Sequence, residues 1–400
     1  DEIYDAAVEG VTDAGADVYD LGLSTTPMVY FATARYGFDA SIQITASHNA
    51  KEYNGMKVSR TNALPVGFDA GLGEIKRWIE EGRQMKIEKE KGKVIKFDKR
   101  DDYLTFLNGY KEDYSNLKIG MDLSNGMAAL FVKDIFGDQP LYICDKMDGN
   151  FPNHEPNPLV EKNREDLKKL VLDNGCDVGV IYDGDADRVM FIDENGRFIS
   201  PDLMIALLGH YFLEEKGEKG AVLQDIRSSK AVGEYLTPMG AEMHTWRVGR
   251  AFAAHKLREL NGVFGGELAG HYYFRDFYYS DSGILASLLI LNVIAKLKNQ
   301  GLSLSQQISR IEKYQNSGEI NFKIESKKEA MDAVRDYFTS QEQPTASFDF
   351  DGYRVEFNDW WFNVRPSNTE PYLRFLCEAS TKELLDQKVS KTKEIINNFK

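Results

Sequence analysis

Cysteine is scarce in this chain of 400 residues: Cys144, Cys176 and Cys377 stand far apart, with no CxxC pair. So sparse and odd a set argues against a disulfide framework and suits a reducing cytosol, and all three read as core or incidental. Long apolar runs are missing too. The longest, Ile284 to Ala295, contains Ser287 and Asn292 and falls short of the roughly 20 residues a bilayer span needs. It reads as a buried helix, stopped after Lys296 and Lys298 by Gly301. Basic charge is short as well, with 49 Lys and Arg against 63 Asp and Glu and a net charge of −14. That balance argues against nucleic-acid binding and would repel a phosphorylated ligand at long range, so such a ligand needs local basic loops. No targeting segment is visible, and no internal repeat shows by identity. The expectation is a cytoplasmic protein with neither nucleic acid nor membrane as partner.

What is present is an alternation of strand-like and helix-like segments over a length that accommodates two to four domains. Asp17-Val18-Tyr19, a helix near Met28 to Arg35, Ile42-Gln43-Ile44 and a helix near Leu72 to Glu80 form a first unit. A charged stretch from Lys86 to Arg100 marks a boundary. Leu117 to Asp122 begins a second unit, Asn125-Gly126 opens a helix, Glu161 to Asp173 forms another, and Glu194-Asn195-Gly196 is a hairpin turn. A third unit runs from a helix near Asp202 through Ala221 to Ile226 and ends near Leu297. Alternating strands such as Tyr353 to Phe357 mark a smaller α+β domain from about Tyr314. The fold class is α/β, with expected domains 1–98, 99–200, 201–313 and 314–400. Asp1 falls within an amphipathic helix with Ala6, Ala7, Val8, Val11 and Ala14 on its apolar side.

Four loops carry candidate chemistry. Thr45-Ala46-Ser47-His48-Asn49 follows an apolar strand and continues to Lys57, placing an exposed hydroxyl beside an imidazole and a cation, as a covalent phosphoryl carrier requires. A solvated turn is the other reading. Asp183-Gly184-Asp185-Ala186-Asp187-Arg188 sets three carboxylates at alternate positions, which repel unless a hard divalent cation such as Mg²⁺ sits among them. Glu194 mimics the last ligand of an EF-hand, but Arg188 stands where that loop needs glycine and the flanks are strand-like. Gly265-Gly266-Glu267-Leu268-Ala269-Gly270-His271 offers a carboxylate for two neighbouring hydroxyls, with glycines that let a ligand approach. Arg365-Pro366-Ser367-Asn368-Thr369 suits a phosphate cradle, or is a plain hydrophilic hairpin. Arg227, after another strand, is a further cation for the same cleft. The aromatic run from Tyr272 to Tyr279 and the pair Trp360-Trp361 could stack on a sugar or pack a domain junction. His154, His210, His244 and His255 read as packing or surface residues.

Taken in order, the four loops resemble the α-D-phosphohexomutase family, in its phosphomannomutase/phosphoglucomutase branch, over essentially the whole chain. The resemblance implies three similar mixed α/β domains plus a smaller C-terminal α+β domain around a central cleft. It implies that Ser47 carries a phosphoserine and that Asp183, Asp185 and Asp187, with the serine's phosphate, hold Mg²⁺. Glu267 would then bind sugar hydroxyls, and Arg365, Ser367, Asn368 and Thr369 would grip the distal phosphate. His48, Lys57, Arg188 and His271 match positions at or near the reacting centre, and Arg227 a substrate-binding one. The expected activity interconverts hexose 6-phosphate and hexose 1-phosphate, of mannose and also glucose, with a hexose 1,6-bisphosphate as intermediate and activator, in a monomer or homodimer. Ala50 and Ala269 depart from the family's usual proline and serine, and its N-terminal strand and phosphate-touching arginine are expected ahead of the first helix but absent from this sequence. A phosphoglucosamine mutase, in which glycine usually stands at Asn368, and a non-catalytic sugar-phosphate binding module remain as alternatives.

Overall fold

The computed structural model describes residues 2–83, 90–367 and 371–399. The expected boundary at Lys86 to Arg100 therefore falls partly outside the described residues, as do Asn368 and Thr369. The first unit holds α1 (Glu2–Asp13), β1 (Val18–Asp20), α2 (Thr26–Arg35), β2 (Ala40–Ile44), β3 (Met56–Arg60), β4 (Leu64–Pro65), α3 (Leu72–Glu80) and β5 (Val94–Lys96). Its strands make two sheets, a parallel β1-β5 pair and an antiparallel β2-β3-β4 meander. An open groove of about 1070 Å³ lies between them, lined by Val8, Val11, Val18, Ile42 and Ile44 and reaching Ser47. Because α1 faces this groove and not a closed core, Val8 and Val11 are only half-buried and Ala6 is exposed. α2 is different. Thr25 caps it by accepting from Met28 N, Pro27 occupies its first turn, and Thr26 through Thr33 are buried.

The second unit comprises α4 (Arg100–Asn108), β6 (Ile119–Asp122), α5 (Val132–Phe136), β7 (Leu141–Ile143), α6 (Glu165–Asn174), β8 (Val178–Tyr182), β9 (Val189–Asp193) and β10 (Phe198–Ile199). The sheet order is β10-β9-β8-β6-β7. β8 and β9 are buried at every position, as strands covered on both faces must be, which accounts for their near-continuous apolar sequence.

The third unit contains α7 (Pro201–Gly209), β11 (Gly220–Asp225), α8 (Lys230–Leu236), β12 (Ala241–Trp246), α9 (Arg250–Glu259), β13 (Phe264–Gly266), β14 (Tyr272–Phe274), β15 (Ser280–Asp281), α10 (Gly283–Asn299) and α11 (Leu304–Ile311). Its sheet runs β12-β11-β13-β14-β15. α10 is the apolar helix expected from Ile284 to Ala295, and its two polar residues are satisfied: Ser287 Oγ lies 2.6 Å from Tyr182 Oη, and Asn292 Nδ2 donates to Tyr110 O. One hydrophobic core joins α2, α4, β6, β8, α7, β11 and α10, so the first three units are packed as one body.

The fourth unit has its own core. It consists of β16 (Gln315–Asn316), β17 (Ile320–Phe322), α12 (Lys327–Gln341), β18 (Ala346–Phe348), β19 (Tyr353–Glu356), β20 (Trp360–Pro366), β21 (Leu373–Ala379) and α13 (Lys382–Asn397). Its six antiparallel strands follow the order β16-β21-β20-β19-β18, with β17 also on β21. The two tryptophans pack. Trp360 stacks on Phe357 at 4.4 Å, and Trp361 lies under the Arg354 guanidinium while donating to Glu378. The same residues stitch this unit to the third: Arg354 Nη1 donates to Ile226 O and Ser228 O, and Ser229 Oγ donates to Glu378.

Candidate active site

Three of the four loops leave the carboxyl ends of strands, Ser47 after β2, Asp183 to Arg188 after β8, and Glu267 after β13, where ligands of α/β sheets bind. Ser47 has φ 57°, in the left-handed region that few non-glycine residues adopt. Its N–H donates to Thr45 Oγ1, while Thr45 and Thr26 both donate to Asp185 Oδ2. The serine loop thereby docks on the aspartate loop. Contact is close enough that a Cβ added to Gly184 would lie 2.4 Å from the Ser47 carbonyl oxygen. His48 Nδ1 lies 3.3 Å and Lys57 Nζ 3.5 Å from Ser47 Oγ.

Strands β8 and β9 flank the aspartate loop, which removes the helical frame of an EF-hand. Ligand oxygens of Asp183, Asp185 and Asp187 all lie within 4.8 Å of one another. Lys57 Nζ donates to Asp185 at 2.7 Å and to Asp187, and Arg188 Nε donates to Asp183 at 2.8 Å. Even so, Asp185 Oδ1 and Asp187 Oδ1 are buried without a hydrogen-bond partner. Two orphaned anionic oxygens beside a third carboxylate fit a hard divalent cation. Burial, opposed by Arg188 and reinforced by the two neighbouring aspartates, pushes Asp183 above the usual carboxylate range.

His271 joins this centre from the sugar-loop side, its backbone bridging to Arg188. Its Nδ1 lies 2.6 Å from Asp281 Oδ2, and Asp281 Oδ1 accepts from Arg250 Nε at 2.9 Å. Burial opposes a charge on this ring, but Asp187 and Asp281 outweigh it and raise the pKa. His48 goes the other way: burial, together with the nearby Arg188 and His271, lowers it to about 3, so it is neutral. Glu267 accepts from Tyr273 Oη at 2.5 Å and from Gly249 N at 3.0 Å. A carboxylate offers about four acceptor positions, so room remains for sugar hydroxyls. Arg227 is clamped by Asp225, which also accepts from Leu268 N next to Glu267. Arg365 Nε donates to Asp351, whose other oxygen accepts from Val248 N, so the fourth unit touches the third at the cleft. Ser367 N donates to Tyr372 O, closing the hairpin.

Several residues at this site carried no signal in the sequence reading. Asp281 and Asp351 are carboxylate anchors ten or more positions from the side chains they hold, whereas Asp225 anchors Arg227 from two positions away. Arg247 and Arg250 had one available clue, a basic pair directly after a strand, the pattern that marks Arg227. Arg188 Nη2, Arg247 Nε and Arg250 Nη2 are buried without a hydrogen-bond partner, which is what an anionic ligand would satisfy.

Comparison with known proteins agrees with this geometry. Four models of the phosphoglucomutase/phosphomannomutase family match in order: alpha/beta/alpha domain I at residues 1–86, domain II at 101–196, domain III at 200–314 and the C-terminal domain at 319–394. The chain belongs to this family. Phosphomannomutase of Escherichia coli K12 is 36% identical over 95% of this chain and 87% of its own length. Phosphomannomutase of Methanocaldococcus jannaschii is 34% identical over 95% and 84%. The crystal structure of a phosphoglucomutase/phosphomannomutase family protein from Burkholderia thailandensis superposes with a TM-score of 0.86 at 25% identity, over 99% of this chain and 86% of that one. As a family member, the protein is a phosphohexose mutase, its fold the three α/β/α domains and C-terminal domain expected from the sequence. No helix among the described residues is long and apolar enough to cross a membrane.

Proposed function

We propose that this mutase moves a phosphoryl group between O6 and O1 of mannose, and of glucose, by way of a phosphoserine at Ser47. What supports this most is the meeting of Ser47 with Lys57 and the three aspartates, two of which bury an unpartnered oxygen. In the first half-reaction the Ser47 Oγ–P bond breaks and a bond from phosphorus to O1 of the 6-phosphosugar forms. The O1 proton passes to the protein and on to Ser47 Oγ; the resulting 1,6-bisphosphate reorients, its O6–P bond breaks as that phosphoryl group bonds to Ser47 Oγ, and the serine proton passes through the protein to O6. Asp183, Asp185 and Asp187 would hold Mg²⁺, which when bound neutralises charge on the transferring group.

His48, neutral and 3.3 Å from Ser47 Oγ, orients the hydroxyl. Proton transfer falls to His271 or Lys57. Asp281 anchors His271 through Nδ1, which leaves Nε2 as its transferring atom. Arg188 steadies Asp183 and offers its unpartnered Nη2 to the phosphoryl group. Glu267 reads ring hydroxyls in either orientation, and Arg227, Arg365, Ser367, Asn368 and Thr369 hold the phosphate that is not reacting. The boundaries at 98/99, 200/201 and 313/314 then separate a serine domain, a metal domain, a sugar domain and a phosphate domain. All three cysteines are free, which supports a reducing cytoplasm.

Intact-mass analysis with peptide mapping tests the assignment. The protein incubated with a hexose 1,6-bisphosphate should gain one phosphate, on Ser47, and should lose it to excess hexose 6-phosphate. A fully active protein that never carries phosphate on Ser47 overturns it.

A further inference from the structure

Asp122, Cys144 and His154 converge behind the aspartate loop, outside the machinery described above. Neighbouring parallel strands bring the first two together: Asp122 ends β6, Cys144 directly follows β7, and the register pairs Asp122 with Ile143. The chain leaving β7 folds back until His154 Nε2 is 3.0 Å from Asp122 Oδ2, and the ligand atoms of all three residues lie within 4.8 Å of one another. The remaining polar atoms are already committed. His154 Nδ1 sits 2.9 Å from Glu155 O, which fixes it as the N–H donor and turns Nε2 toward the cluster. Asp122 Oδ1 accepts from Ser124 N at 2.8 Å. Cys144 has φ 49°, so the backbone is held in a conformation that non-glycine residues rarely adopt just where the thiol joins the group. Cys144, read from the sequence as core or incidental, and His154, read as a packing or surface residue, stand together here.

We propose that Asp122, Cys144 and His154 form a zinc site distinct from the aspartate loop. One sulfur, one imidazole nitrogen and one carboxylate oxygen make a borderline-soft donor set that suits Zn²⁺ and not Mg²⁺. Bonds of about 2.0 Å to nitrogen and oxygen and about 2.3 Å to sulfur space tetrahedral ligands roughly 3.3–3.5 Å apart, so the His154–Asp122 pair opens by about 0.3 Å and the sulfur moves in by no more than about 1.3 Å. The backbone carbonyl behind His154 is the kind of outer partner that orients a zinc-bound histidine. Coordination displaces the Cys144 thiol proton and any proton on His154 Nε2, and leaves Zn²⁺ balanced by one thiolate and one carboxylate. The His154 side chain is 7% exposed and that of Asp122 is buried, whereas Cys144 is half-buried, so the fourth position, filled by solvent, lies on the cysteine side.

The site braces the reacting centre from behind. Two residues beyond His154, Pro156 packs against Gly184 of the aspartate loop, and Gly184 O accepts from Met127 N. Zinc there ties the loop after β7 to the end of β6 and stiffens the floor on which Asp183 to Asp187 rest.

Cobalt substitution tests it on the full chain, with Mg²⁺ present in excess. One equivalent of Co²⁺ should produce a thiolate-to-metal charge-transfer band, which an all-oxygen aspartate site cannot give. Cys144→Ala should abolish the band and weaken Zn²⁺ binding by at least about 100-fold, the upper end of what loss of an outer partner alone does. On the unaltered protein, Zn²⁺ should slow alkylation of Cys144 at least about tenfold and raise the melting temperature, since it binds the folded state. No sulfur band at saturating Co²⁺, or an alkylation rate indifferent to Zn²⁺, overturns the proposal and leaves the cluster an ion pair beside a free thiol.

Discussion

Gly184→Ala isolates the contact between the serine and aspartate loops. Gly184 is not among the glycines with positive φ, so alanine brings no backbone strain and acts through its Cβ alone. That carbon would sit 2.4 Å from Ser47 O, with Pro156 side-chain atoms 3.4 Å away on another side. To reach even a tight contact the two loops must part by more than about half an ångström, and misplacing reacting groups by about 1 Å can lower a rate about 100-fold. Overpacking of this kind destabilises by about 1–3 kcal/mol, or roughly 2–4 °C per kcal/mol in a domain of this class. The expected result is a kcat some 10²-fold lower, with a melting temperature only several degrees down and phosphosugar affinity within a few-fold. Gly149→Ala is the control, because a Cβ there meets nothing within 4 Å. Steady-state kinetics and thermal melts on both variants decide. A Gly184→Ala enzyme with unchanged kcat would show that the serine loop need not touch the aspartate loop to react.

Asp185→Asn should lower kcat by at least about 100-fold while weakening sugar binding far less, because a cation held by this carboxylate would act on the transferring phosphoryl group; calorimetric titration beside kinetics checks this, and equal losses would give any bound ion a structural part only. Mannose and glucose phosphates should show kcat/KM within about tenfold of each other, and acetylated glucosamine phosphate should fall more than about tenfold below both, since a bulky acetamido group needs room; a preference for the aminosugar refutes it. Glu378 should make folding pH-dependent. Burial, then the nearby Asp202, raises it from 4.5 to about 7, so the folded state holds a proton the unfolded state has lost. Stability from this group is therefore greatest below about 4.5 and lost as pH rises through about 7, by up to about 1.4 kcal/mol per pH unit. Glu378→Gln should flatten the curve over that window in denaturant titrations, and an unaltered slope counts against the assignment.

Most of the site was legible because its chemistry is local. Three aspartates at alternate positions, a serine ten residues ahead of a lysine, and glycines flanking Glu267 are short-range patterns, and each lies at the end of a strand that its own apolar run announces. Helices α2, α3 and α10 were equally plain, although why Ser287 and Asn292 interrupt an apolar run emerges only from the structure, where both bond across to another unit. What stayed hidden depends on tertiary contact. Asp281 supports His271 from the far side of a turn, and Asp351 reaches Arg365 and Val248 only because β18 and β19 hairpin against the third unit. Asp122, Cys144 and His154 are spread over more than thirty positions, and only the parallel register of β6 and β7 gathers them. Trp361, by contrast, was ambiguous between a sugar platform and a packed junction until Glu378 and Arg354 were found on it.

Lys57 gives the aspartate loop a counterion that cannot diffuse away. Tethered on β3 and shared between Asp185 and Asp187, its ammonium offsets part of the charge of the loop with no ion bound. Removing the ion from the aspartate loop alone should silence such an enzyme without melting it, and loading becomes a contest between an incoming ion and a resident one. A monovalent ion brings no more charge than the ammonium already supplies and must shed its water to compete. Only a doubly charged ion gains by entering, so the lysine works as a threshold that keeps the abundant alkali cations of a cell out of a site built from bare oxygen.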